Sequence, residues 1–256
     1  HEFSSTGDLK PEESDTLTAG FVWSPDFASG MQVAMDYFNI EVTDVIGVPD
    51  FNQLFNSCMM SSKFSAPSCA NFDELGINYF GFPGDAISVF GNLGVLATDG
   101  VDIAISYDGS FGDVLGYRAS MDATWTNSFE SGTDVGGQQD LVGTAEYGSI
   151  YPEWRAWLQF GLVGDAWSAD LMARWIDKTV DRWKTKAVTA DPTVESMLYW
   201  DLVGTYEWDM FRFTAGVNNI LDEDPPYWHG AFNANTEPGT YDVIGRRFFT
   251  SVSVEF

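Results

Sequence analysis

The chain closes on Phe248-Phe249-Thr250-Ser251-Val252-Ser253-Val254-Glu255-Phe256. Phe248, Val252, Val254 and Phe256 fall in one register. Phe249, Ser251, Ser253 and Glu255 fall in the other. Alternation of period two is the mark of a strand with one apolar and one polar face. The last residues of a soluble domain commonly fray. A strand that runs to the final residue and stops on Phe fits the closing strand of an outer-membrane β-barrel wall.

The same alternation recurs along the chain, and nine segments read as strands: 16–24, 31–46, 86–107, 114–129, 154–162, 167–175, 198–208, 211–217 and 241–256. The fourth is the cleanest. Leu115, Tyr117, Ala119, Met121, Ala123 and Trp125 share one face, and Gly116, Arg118, Ser120, Asp122, Thr124 and Thr126 the other. Most of these segments reach about 10 residues, the length of a tilted bilayer span. Strands of β-sandwiches average about 5 or 6. At a rise of roughly 3.3 Å per residue and a tilt of about 40°, such a strand climbs roughly 25 Å, the height of the apolar band. Counting back from Phe256 places Arg246 at the outer rim, where its guanidinium either meets lipid phosphate or sits in solvent without a partner.

Connections alternate in length. Short links fall at 25–30, 108–113, 164–165 and 209–210, and long ones at 47–85, 130–153, 181–194 and 222–240. Short periplasmic turns and long extracellular loops are the habit of outer-membrane barrels. Trp125, Trp154, Trp167, Trp175 and Trp208 fall near strand ends. They read as interfacial girdles rather than as one packed aromatic core. The fold class expected is therefore all-β, an antiparallel transmembrane barrel segment of about nine long strands. No apolar run approaches the roughly 18 residues of a membrane helix.

Composition narrows the function. With 38 acidic against 12 basic residues, the net charge of -26 lacks the basic footprint of a nucleic-acid binder. It reads first as a solubility device in a salty setting, second as an acidic rim for cations. Cys58 and Cys69 are the two cysteines, close together in one polar stretch, and a disulfide in an oxidising compartment suits them. A zinc site would need two more ligands, and the histidines are His1 and His229 alone. No nucleophile, histidine and carboxylate fall into a readable arrangement, so no enzyme and no cofactor is expected. The chain begins at His1 without an initiating Met, which reads as processing or as a fragment.

Several stretches, taken in order, resemble the TonB-dependent outer-membrane receptors. They are Asp8-Leu9-Lys10-Pro11-Glu12-Glu13, Gly100-Val101-Asp102, Pro152-Glu153-Trp154-Arg155, and Gly216-Val217-Asn218-Asn219-Ile220-Leu221-Asp222 through Pro226-Tyr227. Tyr241-Asp242-Val243-Ile244-Gly245-Arg246-Arg247 with the final Phe256 completes the set. The motif positions are Asn218, Leu221, Asp222, Pro226, Tyr227, Gly245 and Arg246. The resemblance implies the carboxy-terminal part of a 22-stranded barrel, residues 1–256 forming one segment without the amino-terminal plug. It implies the outer membrane of a Gram-negative cell, with lipid, the barrel-assembly machinery and a small-molecule substrate as partners, and TonB as a partner through the missing plug. Nine strands with two open edges would not be stable alone in a bilayer.

The function so implied is energised uptake of a scarce nutrient, an iron chelate or an oligosaccharide. Alternatives are a small standalone barrel, acting as a pore or structural protein, and a secreted β-sandwich binding module. Tyr227, Trp228, His229, Asn233 and Asn235 are the substrate candidates, since aromatic and amide groups suit sugars. His229 would also suit a metal chelate. Asp222, Glu223 and Asp224 read as a solvated loop rather than a calcium site. Loop 47–85 is either a substrate lid or a self-packed loop, and loop 130–153 reads as plain polar chain. Arg118, Asp122, Arg155, Gln159, Arg174, Asp201 and Glu207 share the lumenal parity, where charge pairs with a plug are expected.

Overall fold

The computed structural model describes residues 3–5, 9–47, 58–65, 88–133, 137–146, 148–182, 192–228 and 235–255. Its strands are β1 (Phe3–Ser5), β2 (Glu13–Trp23), β3 (Met31–Gly47), β4 (Ser88–Phe111), β5 (Leu115–Thr133), β6 (Gly137–Asp140), β7 (Thr144–Glu146), β8 (Ser149–Tyr151), β9 (Trp154–Val163), β10 (Trp167–Ile176), β11 (Thr179–Asp181), β12 (Thr193–Val194), β13 (Met197–Trp208), β14 (Phe211–Asn218) and β15 (Arg247–Val254). Each of the nine expected strands is present. The ninth begins at Arg247 rather than at 241, because Gly245 takes a positive φ of 75° and breaks the extended run.

The long strands form one sheet in the order β15-β14-β13-β10-β9-β5-β4-β3-β2, with β1 beside β4 and β6 beside β5. Sequence neighbours pair antiparallel from β9 to β10 and from β13 to β15. The β9–β10 and β13–β14 turns are tight: Gly164 N donates to Trp167 O at 2.8 Å, and Asp209 carries a positive φ of 53° between β13 and β14. The chain divides into two compact units. One is His1–Leu17, Asn39–Asp99 and Ser128–Leu141; the other is Thr18–Phe38, Gly100–Asn127 and Val142–Phe256.

In the first unit β1 runs parallel to β4, and β6 folds back on the end of β5, Glu130 facing Asp140. Asn92 ties two segments together: its amide donates to Lys10 O and Asp44 O, and its oxygen accepts from Lys10 N.

In the second unit the pairing register aligns apolar positions of neighbouring strands on one side. Ala119, Phe160, Leu171, Leu202, Val217 and Phe248 are direct neighbours in a row across β5, β9, β10, β13, β14 and β15. A second row reads Tyr117, Leu162, Ala169, Gly204, Ala215 and Thr250. This side is not packed on protein: Phe160, Leu171, Leu202, Phe213, Phe248 and Val252 are all exposed. A continuous exposed apolar sheet face of this kind is a surface for hydrocarbon. Aromatic rings edge it at both ends. Trp208 stacks near Phe211 and Phe111 near Tyr117 at the short-turn end, while Trp125 lies 6.3 Å from Trp154 at the long-loop end.

Loop 130–153 is not plain polar chain. With the segment after β10 it builds a small sheet, β12-β11-β7-β8, in which β7 and β11 run parallel. Ala145, Ile150, Ile176, Val194, Met197, Tyr199, Trp228 and Tyr241 form a buried cluster there. Short strands of two to four residues bring no readable alternation of their own, which is why they do not declare themselves in sequence.

Because Leu171 sits mid-strand on the outer side, Leu171→Arg is expected to cost about 2–4 kcal/mol of folding stability in a bilayer. Met172→Arg, one residue on and facing the polar side, is expected to fold nearly normally. Heat-modifiable gel mobility of the two variants checks the contrast.

Candidate functional site

The opposite side of the same strands carries the polar residues, and most of them find partners within the wall. Arg118 grips Asp170 with both nitrogens, Nε at 3.0 Å and Nη2 at 2.7 and 2.8 Å, and Gln159 Nε2 donates to the same carboxylate at 2.9 Å. The fork needs room. A Cβ on Gly161 would stand 2.5 Å from Asp170 Oδ1 and 2.7 Å from Arg118 Nε, so a larger residue there would displace the fork. Arg212 Nη2 donates to Glu207 Oε1 at 2.7 Å, and Asp201 Oδ1 accepts from Asn219 N at 2.7 Å. Arg118 and Glu207 thus have ion partners within the wall itself.

Towards the long-loop end this face opens into a pocket of about 360 Å³, within the usual range for small-molecule sites. Asp122, Thr124, Arg155, Trp157 and Arg174 line it, with Gly239 and Thr240 from the β14–β15 loop. Arg174 Nη2 donates to Asp242 Oδ2 at 2.6 Å, and its guanidinium lies 4.9 Å over the Tyr199 ring. Arg155 Nη2 donates to Ile150 O at 3.1 Å, and Thr124 Oγ1 donates to Asp102 Oδ1 at 2.6 Å. Trp157 was absent from the expected site residues, although its place was readable: it is a tryptophan in the polar register of β9.

The sequence candidates are spread out. Tyr227 is exposed, whereas Trp228 is buried at 4 % in the loop cluster, its indole turned into protein rather than towards a ligand. Trp228 N donates to Asn235 O at 2.7 Å, and Asn235 holds a positive φ of 54°. His229 and Asn233 lie outside the described residues, as do Cys69, Phe256 and most of loop 47–85. Cys58 is buried. Among the described residues no three His, Cys, Asp or Glu side chains gather as a metal site.

The motif stretch after β14 acts as a structural clamp. Asn219 is its fully buried amide: its Nδ2 donates to Glu223 O at 2.8 Å and its Oδ1 accepts from Glu223 N at 2.9 Å. Asn218 pairs with Arg247 in the sheet. Asp222 Oδ1 accepts from Arg246 N at 2.7 Å, and Asp222 Oδ2 stands 3.9 Å from Arg246 Nη2. Arg246 therefore has a carboxylate beside it at the strand entry. Gly245 lies against Asp222, Pro226 is buried, and Leu221 is exposed. Phe248, Val252 and Val254 stand on the outer row.

A long antiparallel wall, apolar and exposed on one side, polar on the other and edged by aromatics, defines a membrane-spanning β-barrel segment. The chain matches the family "TonB dependent receptor-like, beta-barrel" over residues 2–220, and it belongs to that family. It is accordingly an outer-membrane protein of Gram-negative bacteria, from a family of receptors rather than enzymes. No curated protein matches it. In fold it is similar to the ferric enterobactin receptor of Pseudomonas aeruginosa, with TM-score 0.64, 17% identity, and 99% of this chain against 33% of that one. It is also similar to the siderophore receptor PirA of Acinetobacter baumannii, with TM-score 0.62, 16% identity and the same coverage of 99% and 33%. The FrpB iron transporter of Neisseria meningitidis gives TM-score 0.54 and 13% identity, over 98% and 32% of the two chains. The chain thus spans about a third of the length of these structures.

Burial pushes the Tyr241 phenol up to about 12, the neighbouring Tyr199 adding to the rise and the Arg155 guanidinium opposing it. The folded value lies above the unfolded one of 10.0, so the stabilisation is present below pH 10 and is lost as pH rises through about 12. Alkaline titration by phenolate absorbance is expected to show one tyrosine ionising near the top of that window, and Tyr241→Phe is expected to remove it.

Proposed function

We propose that this chain is the carboxy-terminal wall of a plugged receptor that takes up a scarce nutrient with energy supplied through TonB. The observation that carries the reading is the polar pocket at the long-loop end of a wall whose family is the TonB-dependent receptors. Its solved relatives in fold are described as receptors and transporters of ferric enterobactin, siderophores, iron and copper. The substrate is an iron chelate or an oligosaccharide.

The remaining strands and the plug would belong to the rest of a barrel of about 22 strands. All eleven residues of β2 and all eight of β15, the two ends of the strand order, are exposed. Unpaired edges are costly in hydrocarbon, which supports further strands beside them. Partners on this reading are outer-membrane lipid, the barrel-assembly machinery, the substrate, and TonB through the plug. Tyr227, His229, Asn233 and Asn235 remain the loop candidates for first contact with substrate, with Trp228 supporting them from within the loop core. A Cys58–Cys69 disulfide pins the β3–β4 connection. It is supported by Cys58 being bonded rather than free, with Cys69 the chain's one other cysteine.

Two measurements test the reading together. The native outer-membrane polypeptide is expected to be about three times the 28.3 kDa of this chain, carrying peptides upstream of residue 1. Substrate accumulation is expected to stop in cells lacking TonB. A native band near 28.3 kDa, or uptake indifferent to TonB, would leave a standalone barrel instead.

A further inference from the structure

We infer that the pocket around Trp157 binds a neutral, hydroxyl-rich ligand, a saccharide unit stacked on the indole, rather than an anionic chelate. The inference rests on the uptake reading above and names its substrate class. Trp157 carries it. It stands in the polar register of β9, directly between Asp122 on β5 and Arg174 on β10. An indole in such a place is expected to be covered, yet Trp157 is 54% exposed. Among the described residues no other ring stacks against it.

The groups around the ring match a sugar in geometry and in charge. An aromatic face offers apolar area to the C–H side of a pyranose, while its hydroxyls need donors and acceptors at the ring edge. Asp122 and Arg174 supply an acceptor and a donor on the two flanks, and Thr124 and Arg155 form the next cross-strand pair on β5 and β9. The guanidinium groups are held in place: Arg174 by Asp242 and the Tyr199 ring, Arg155 by Ile150 O. Preorganised donors suit a ligand whose hydroxyls must be matched one by one.

Charge separates a neutral glycan from an anionic chelate. The guanidinium groups of Arg155 and Arg174 are offset by the carboxylates of Asp122, Asp242 and Asp102, the last accepting from Thr124. The pocket therefore carries no surplus of positive charge, and the whole chain carries a net charge of -26. A multiply anionic ferric catecholate would meet repulsion there, whereas a neutral glycan meets none.

The test uses the full-length receptor in detergent, titrated calorimetrically with neutral gluco-, xylo- and manno-oligosaccharides and, separately, with the anionic chelates ferric citrate and a ferric tris-catecholate. At least one neutral oligosaccharide is expected to bind. Trp157→Ala is expected to weaken it by about tenfold or more, and Trp157→Phe, which keeps a stacking face and guards against misfolding, by no more than about threefold. Binding that survives Trp157→Ala unchanged overturns the site. Chelates binding where no sugar does, or no sugar binding at all, overturns the substrate class. Neither of those results touches TonB-dependent uptake, whose own failure would show in cells lacking TonB.

Discussion

Everything in this wall depends on the register of its backbone ladder. In hydrocarbon each strand must give its N–H and C=O groups to a neighbour, because no water is there to take them. The ladder that satisfies this also fixes which residues share a face. From β5 to β15 the paired positions align apolar with apolar, so that Leu171, Leu202, Val217 and Phe248 form one row. A slip of one residue in any strand would bring its charged side into the lipid. The alternation in sequence and the hydrogen bonds of the ladder thus enforce one another.

The polar side obeys a different constraint. On it the wall neutralises charge locally through the Arg118–Asp170–Gln159 fork and the Arg212–Glu207 pair. Such charge-assisted bonds hold side chains in fixed orientation. Where the pairing gives way to the pocket at the long-loop end, Trp157 is left open between a carboxylate and a guanidinium. The small sheet built by the loops packs Tyr199, Trp228 and Tyr241 into a core of its own. That core leaves the Tyr241 hydroxyl and the Trp228 Nε1 without hydrogen-bond partners among the described residues.

Period two carried the long strands plainly in the sequence, since a span of ten residues repeats its signal five times over. β5, β9, β10 and β13 begin and end within a residue or a few of where alternation places them. The loop architecture was not legible. β7 pairs with β11 from a different connection, a contact between residues far apart in sequence and only two pairs long. Nor does the sequence say that the Trp228 ring lies in the loop core, or that of the neighbours Asn218 and Asn219 the second is the buried amide. In both cases adjacent or similar residues compete for one role, and only packing decides. Trp157 stands out in the sequence as a tryptophan in the polar register of β9, but its pocket exists only once three strands and a loop meet.

The measurement that bears most directly on the account is a labelling scan of β10 and β13 in native outer membranes. Single cysteines would be placed at successive positions from Ser168 to Arg174 and from Trp200 to Tyr206, then exposed to a membrane-impermeant maleimide and to a lipid-soluble one. The account predicts strict alternation. Positions 169, 171, 173, 202 and 204 should take the lipid-soluble reagent, and positions 168, 170, 172, 201 and 203 should not. Reagent uptake without a two-residue period, or impermeant label entering at 171 and 202, would contradict a lipid-facing wall.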